Sequence, residues 1–168
     1  MATPCLFIDM HTAFLALGSN LGDKDRNLQL ALEKIAEKIG AISALSSIHA
    51  SEAWGYKSEN RFLNQVVKVE TELSPLELLK TIQAIETQMG RRRKNSARYQ
   101  DRIIDIDIIL YDDLVYQSEE LTIPHPLYRQ RPFVQEPLEE ILTNCKKSAF
   151  INKISSCLFV FVSSCFLY

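Results

Sequence analysis

The sequence predicts an α+β fold, a ferredoxin-like β-α-β-β-α-β sandwich, from two amphipathic helices set among four apolar strands. Leu28, Leu32, Ile35 and Ile39 recur at helical spacing and stop at Gly40, and Leu78, Ile82, Ile85 and Met89 do the same before Gly90. From Ile104 to Leu110 the period drops to two. Ile104, Ile106, Ile108 and Leu110 fall on one face, and Ile103, Asp105, Asp107 and Ile109 on the other. A β-branched run of this kind belongs deep in a sheet.

In chain order, Thr12 to Leu17 is a short apolar run that reads as the first strand. It ends in Gly18-Ser19-Asn20-Leu21-Gly22, a tight turn into the first helix with neither of the standard glycine-rich phosphate patterns. Ile42 to Ala50 reads as a second strand of mixed polarity. Ser51 to Arg61 is loop-like, and Trp54 beside Gly55 within it suits a ligand-facing lid. Val67, Val69, Thr71 and Leu73 then alternate with Lys68, Glu70 and Glu72, a strand with one buried and one wet face. Ser74-Pro75-Leu76-Glu77 supplies an N-cap, a proline at the first helical position and a glutamate at the third, which together start the second helix.

Gly90 to Arg102 is polar, basic and aperiodic, a loop expected to order only around anions. Beyond the fourth strand, Asp112-Asp113 turns into Leu114-Val115-Tyr116, the expected start of an added C-terminal hairpin. Each proline of Thr122-Ile123-Pro124-His125-Pro126 restricts the residue before it, so that stretch is extended.

A chain of 168 residues, 46% apolar and 24% charged, has the composition of one soluble globular domain. Net charge of −2 argues against a general nucleic-acid binder, although positive charge is concentrated between Arg91 and Arg98. Cys5, Cys145, Cys157 and Cys165 show no metal-ligand spacing and are expected to be reduced thiols of a cytoplasmic protein. Residues 1–12 lack the basic and apolar regions of a secretory signal. The apolar run from Ile151 to Tyr168 is shorter than the ~20 residues of a spanning helix. No membrane partner is expected.

The acidic pair on the fourth strand is the strongest chemical signal. Two carboxylates two residues apart on one face lie roughly 6–7 Å apart. Unpaired in so apolar a strand, they would carry a desolvation cost of several kcal/mol, so something cationic must accompany them. Two readings stand. Asp105 and Asp107 pair with nearby arginines in a structural network, or they hold Mg²⁺ while Arg91, Arg98 and Arg102 clamp the phosphates that the metal carries.

Taken together, Gly18-Ser19-Asn20-Leu21-Gly22, Phe62-Leu63-Asn64, Gln83-x-x-Glu86, Gly90-Arg91-x-Arg93, Arg102-x-x-Asp105-x-Asp107, Thr122-x-Pro124-His125 and Arg131-x-Phe133 resemble the 6-hydroxymethyl-7,8-dihydropterin pyrophosphokinases of folate biosynthesis. The resemblance spans about Ala13 to Ile141. It implies transfer of pyrophosphate from ATP to the pterin hydroxymethyl oxygen, with release of AMP. It further implies two Mg²⁺ ions on Asp105 and Asp107, and Arg91 and Arg102 as catalytic arginines. Gln83, Glu86, Arg93, Tyr99, Ile108, Thr122, His125 and Arg131 are expected at the ATP, and Ser51, Trp54, Phe62, Asn64 and Phe133 at the pterin.

These expectations divide the chain into an extension at 1–12, a catalytic domain at 13–141 and an atypical tail at 142–168, acting as a monomer. The chain departs from the family pattern in several places: Tyr99 for the usual tryptophan, Gln100-Asp101 for small residues, Glu52-Ala53-Trp54 for a proline-rich segment, and Glu120 and Pro126 at ATP-contacting positions. Two other functional classes share parts of the pattern. An RNA-binding ferredoxin-like module needs exposed aromatics on its central strands, where this chain offers isoleucines and acids. A metal-dependent nucleotidyltransferase shares the carboxylate pair and lacks the pterin sandwich.

Overall fold

The computed structural model describes residues 9–91 and 100–145. Arg93, Tyr99 and Arg98 lie outside the described residues, as do Cys5, Cys157, Cys165 and the apolar tail. The elements are β1 (His11–Ser19), α1 (Lys24–Lys38), β2 (Gly40–Leu45), β3 (His49–Ser51), β4 (Phe62–Thr71), α2 (Pro75–Gln88) and β5 (Asp105–Tyr111). A hairpin of β6 (Tyr116–Gln117) and β7 (Thr122–Ile123) follows, then a 3-10 turn at Tyr128–Gln130 and a third helix, α3, at 132–145. The main sheet runs β2-β4-β1-β5, with β3 also on β4, and every pairing is antiparallel. That is the expected ferredoxin-like order, and the expected hairpin is present.

Local chemistry accounts for the helices. Asp23 caps α1 by accepting the Arg26 N–H at 3.0 Å. At α2 the capping box forms as read: the Ser74 N–H donates to Glu77 Oε2 at 3.0 Å, with Pro75 at the first helical position. Gly40, the first residue of β2, has φ 153, and a Cβ there would sit 2.1 Å from the Glu70 carbonyl oxygen. No other residue type fits that crossing.

One face of the sheet packs on α1 and α2. Leu15, Leu17, Val67, Val69, Ile104, Ile106 and Ile108 meet Leu28, Ile35, Leu78 and Ile85 there, all buried. The opposite face is covered by α3. Phe14, Val66 and Ile109 pack on Val134, Leu138 and Ile141. On the face expected to be wet, Lys68 and Glu70 are half-buried and Glu72 is exposed, while Val66, earlier on the same face, is fully buried against α3. Helix α3 also continues past the boundary expected at residue 141.

Two strands differ from the sequence reading. The expected second strand is split into β2 and β3, because the Ser46 hydroxyl accepts the Val66 N–H at 3.0 Å in place of a ladder carbonyl. Gln65 Nε2 secures the break by donating to the Ser46 carbonyl at 2.8 Å. In β5 the pairing shifts between Phe14↔Leu110 and Leu15↔Ile108, which leaves Ile109 as a bulge. The bulge turns Leu110 to the α3 side and Tyr111 into the α1–α2 core. Leu110 therefore does not share the face of Ile104, contrary to strict alternation. A one-residue slip exchanges faces.

Candidate active site

The sheet register builds the floor of a cleft beside the start of α3. Gly18 of β1 lies opposite Asn64 of β4 on one side and Asp105 of β5 on the other, and Ala16 lies opposite Asp107. Two strand spacings put Asn64 and Asp105 about 9–10 Å apart with a glycine between them. A Cβ on Gly18 would stand 3.4 Å from Asn64 Oδ1 and 3.6 Å from Phe62 Cδ1, so its absence opens the middle of the floor. The cleft encloses about 290 Å³.

Eleven of the sequence-predicted site residues line it: Ser51, Trp54, Phe62, Asn64, Arg91, Arg102, Asp105, Asp107, His125, Arg131 and Phe133. Glu86 lies beneath the cleft, Ile108 is in the α1–α2 core at 4% exposure, and neither Gln83 nor Thr122 reaches the cleft wall. Glu52, Tyr56 and Val134 also line it and carried no motif.

One half of the cleft is charged. Arg91 Nη1 lies 2.5 Å from Asp105 Oδ1 and also contacts Glu86 Oε1. Arg102 Nη1 holds the other Asp105 oxygen at 2.5 Å, and Arg131 Nη1 lies 3.3 Å from Asp107 Oδ2. The arginine network among the two readings is therefore formed. Glu86 is only 2% exposed; it also accepts the Ile106 N–H at 2.8 Å, which ties α2 to β5 beneath the arginines. Burial raises its carboxyl, against the pull of Arg91.

Asp107 is less well compensated. Burial first, and then the Asp105 charge, push its carboxyl up to about 7 despite Arg131. Burial and Arg131 both lower the His125 imidazole, so it is neutral at pH 7. Its Nδ1 accepts the Leu127 N–H at 3.2 Å, which leaves Nε2–H as the donor.

The other half suits a flat polar ring. Asn64 Nδ2 is committed to the His49 carbonyl at 3.1 Å and Ser51 Oγ at 2.9 Å. Its Oδ1 consequently faces Gly18 and the cleft as an acceptor. Phe62 and Phe133 are half-buried at the wall, and Phe133 also packs against the core on the α3 side. The Trp54 ring covers Arg131, with the guanidinium carbon 4.8 Å from the ring centroid, which joins the two halves by a cation–π contact. The lid expected at Trp54 thus closes on an arginine.

Donor chemistry also fits Mg²⁺. Among the described residues no three His, Cys, Asp or Glu side chains gather as ligands. Two carboxylates are what Mg²⁺ ordinarily takes from a protein when waters and substrate phosphates complete its shell. Asp105 and Asp107 both present their carboxylates at the cleft.

The family model for 7,8-dihydro-6-hydroxymethylpterin-pyrophosphokinase matches residues 14–143. A 2-amino-4-hydroxy-6-hydroxymethyldihydropteridine pyrophosphokinase of Porphyromonas gingivalis is 45% identical over 136 residues, covering 79% of this chain and 91% of the relative. The enzyme of that name from Aquifex aeolicus is 41% identical over 135 residues, covering 80% and 82%. Among solved structures, wild-type Plasmodium falciparum HPPK-DHPS with pteroate superposes with a TM-score of 0.62 at 17% identity, over 79% of this chain. The match spans 39% of that longer chain and is a likeness of fold.

Proposed function

The chain belongs to the 7,8-dihydro-6-hydroxymethylpterin-pyrophosphokinase family, and from that premise we propose how its cleft divides the work of pyrophosphate transfer. The enzyme transfers pyrophosphate to hydroxymethyldihydropterin in folate biosynthesis, with ATP as co-substrate and AMP as the second product. The observation that carries the division of labour is the floor itself: Asn64, Gly18 and Asp105 stand in one row across three strands.

In this reading the pterin lies between Phe62 and Phe133, with its ring donors on Asn64 Oδ1 and its edge near Ser51 and Trp54. Aromatic faces and an in-plane acceptor are what a flat polar heterocycle requires. Gly18 leaves room for the hydroxymethyl group to reach toward Asp105. Asp105 and Asp107 would hold Mg²⁺, two ions in this reading, and metal bound there would supply positive charge for the phosphate chain. Arg91 and Arg102 stabilise charge on the transferring group, since such transfer asks the protein mainly for positioning and electrostatics. Arg131 and the neutral His125 Nε2–H bind phosphate or sugar oxygens of ATP, together with Arg93 and Tyr99, while Gln83 and Thr122 stand off the cleft wall and take no part in this reading. Glu86 acts from below by fixing Arg91, and Ile108 acts by packing the floor strand.

No helix among the described residues is long and apolar enough to cross a membrane. We take the enzyme to be a cytoplasmic monomer. Product analysis tests the reaction: incubated with ATP, Mg²⁺ and the hydroxymethyldihydropterin, it forms AMP and pterin diphosphate in equal amounts. Release of free pyrophosphate with an adenylylated pterin would instead show the nucleotidyltransferase reading to be right.

A further inference from the structure

The turn after β1 and the residue before Arg102 are joined by a hydrogen-bond hub. Asp101 Oδ1 accepts from Asn20 Nδ2 at 2.7 Å and from the Tyr56 hydroxyl at 3.0 Å, and Asp101 Oδ2 accepts from Asn60 Nδ2 at 2.8 Å. Asn20 is also clamped to the next residue along. Its Oδ1 accepts the Arg102 N–H at 2.7 Å, and its own N–H donates to the Arg102 carbonyl at 3.1 Å. One carboxamide therefore spans Asp101 and Arg102, while Asp101 reaches across to the 52–61 loop that carries Trp54 and Tyr56 over the cleft. Asn20 is only 2% exposed, although its turn sits at the rim.

We propose that Asp101 is a positioning residue: with Asn20 it fixes the backbone of Arg102 against Asp105 and ties it to the loop over the pterin half. The catalytic arginine and the pterin loop are then held in one frame.

The bridge works through geometry. Burial works against ionisation of Asp101, but donors from Ser58, Asn60, Asn20 and Tyr56 outweigh it and hold the carboxyl at about 2. An asparagine in its place keeps one acceptor oxygen for Asn20 and Tyr56. Its amide then meets Asn60, whose own carboxamide can flip to accept, and Ser58, whose hydroxyl can turn to accept, so all four contacts survive. Alanine loses them all.

The proposal rests on Arg102 acting at the reacting phosphate, and the experiment separates the two. Asp101→Ala, Asp101→Asn, Arg102→Ala and the Asp101→Ala/Arg102→Ala double variant are compared by kcat, by KM for each substrate and by amide exchange. In Asp101→Ala kcat falls about 10–100-fold, the scale of a misplaced catalytic group. The pterin KM rises about fivefold to tenfold for the lost loop hydrogen bonds, while the ATP KM stays. Asp101→Asn stays within about threefold of wild type, as a bridge that keeps its hydrogen bonds should. The double variant is no slower than Arg102→Ala, because a residue acting through Arg102 has nothing further to remove. Exchange at the Arg102 amide and across 52–61 accelerates together in Asp101→Ala.

Wild-type kcat in Asp101→Ala, an Asp101→Asn as slow as the alanine variant, or additive losses would each overturn the positioning role. Should Arg102→Ala itself keep full kcat, the arginine assignment fails, and coupled or uncoupled exchange of the two segments still decides for or against the tie.

Discussion

Asp107→Asn is expected to make the ligand-free enzyme more stable and nearly inactive at once. Burial and the Asp105 charge raise this carboxyl from 3.8 to about 7 in the folded protein. Between those values the folded state holds a proton that the unfolded chain has released, so stability falls as pH rises toward 7. Asparagine mimics the protonated form and does not suffer that loss. A rise from 3.8 to about 7 is worth at most about 4 kcal/mol at about 1.4 kcal/mol per pH unit. The side chain is 37% exposed to the cleft, and solvent screening reduces the gain to about 1–2 kcal/mol.

For a chain of this size the melting temperature of Asp107→Asn should exceed wild type by about 2–8 °C at pH 8. The gap narrows to a fraction near pH 4.5 and closes below about 3.8, where Asp107 is protonated in both the folded and the unfolded state. Activity falls about 10²–10³-fold or more, as for loss of a principal electrostatic group. In the wild type, Mg²⁺ affinity climbs with pH through about 7, because the metal needs the ionised carboxylate. Melting curves at both pH values and a Mg²⁺ titration measure all of this. A variant less stable than wild type at pH 8, or a gap equal at both pH values, refutes the reasoning.

Phe62→Ala, Phe133→Ala and Asn64→Ala should each weaken pterin binding about tenfold or more and leave ATP affinity nearly unchanged, measured by paired titrations. A large loss of melting temperature with normal pterin affinity would make the rings core residues. Gly18→Ala has only ordinary contacts to meet, so it should fold normally and lower pterin turnover, while Gly18→Val lowers it much further; equal activity in both would remove Gly18 from the floor. Glu86→Ala leaves the Ile106 N–H without its buried acceptor and Arg91 with Asp105 as its carboxylate partner, and should cost about 1–3 kcal/mol in denaturant unfolding, with Glu86→Gln costing less because it still accepts from Ile106. Equal costs for the two would place the effect in charge alone.

Periodicity and capping are local properties, which is why the six main elements of the sandwich, the Ser74–Glu77 box and the acidic strand were legible in the sequence. Eleven residues named from sequence motifs also come together at one cleft. Helix α3 carries a sequence signal as well, Pro132 at its first position and Val134, Leu138 and Ile141 at helical spacing. Other features depend on partners distant in sequence. The Ser46 break needs Val66 beside it, and the Ile109 bulge arises only from how β5 registers on β1. The burial of Glu86 follows from α2 crossing β5, and no helical pattern distinguishes it from a surface glutamate.

The Asp101 hub is the clearest case. Asn20, Tyr56, Asn60 and Asp101 are each ordinary polar loop residues, spread over some eighty positions. Sequence determined which side chains were present and which local shapes they favour. Tertiary structure decided which of them share an oxygen atom, because hydrogen bonds and ion pairs act over a few ångströms of space and take no account of separation along the chain.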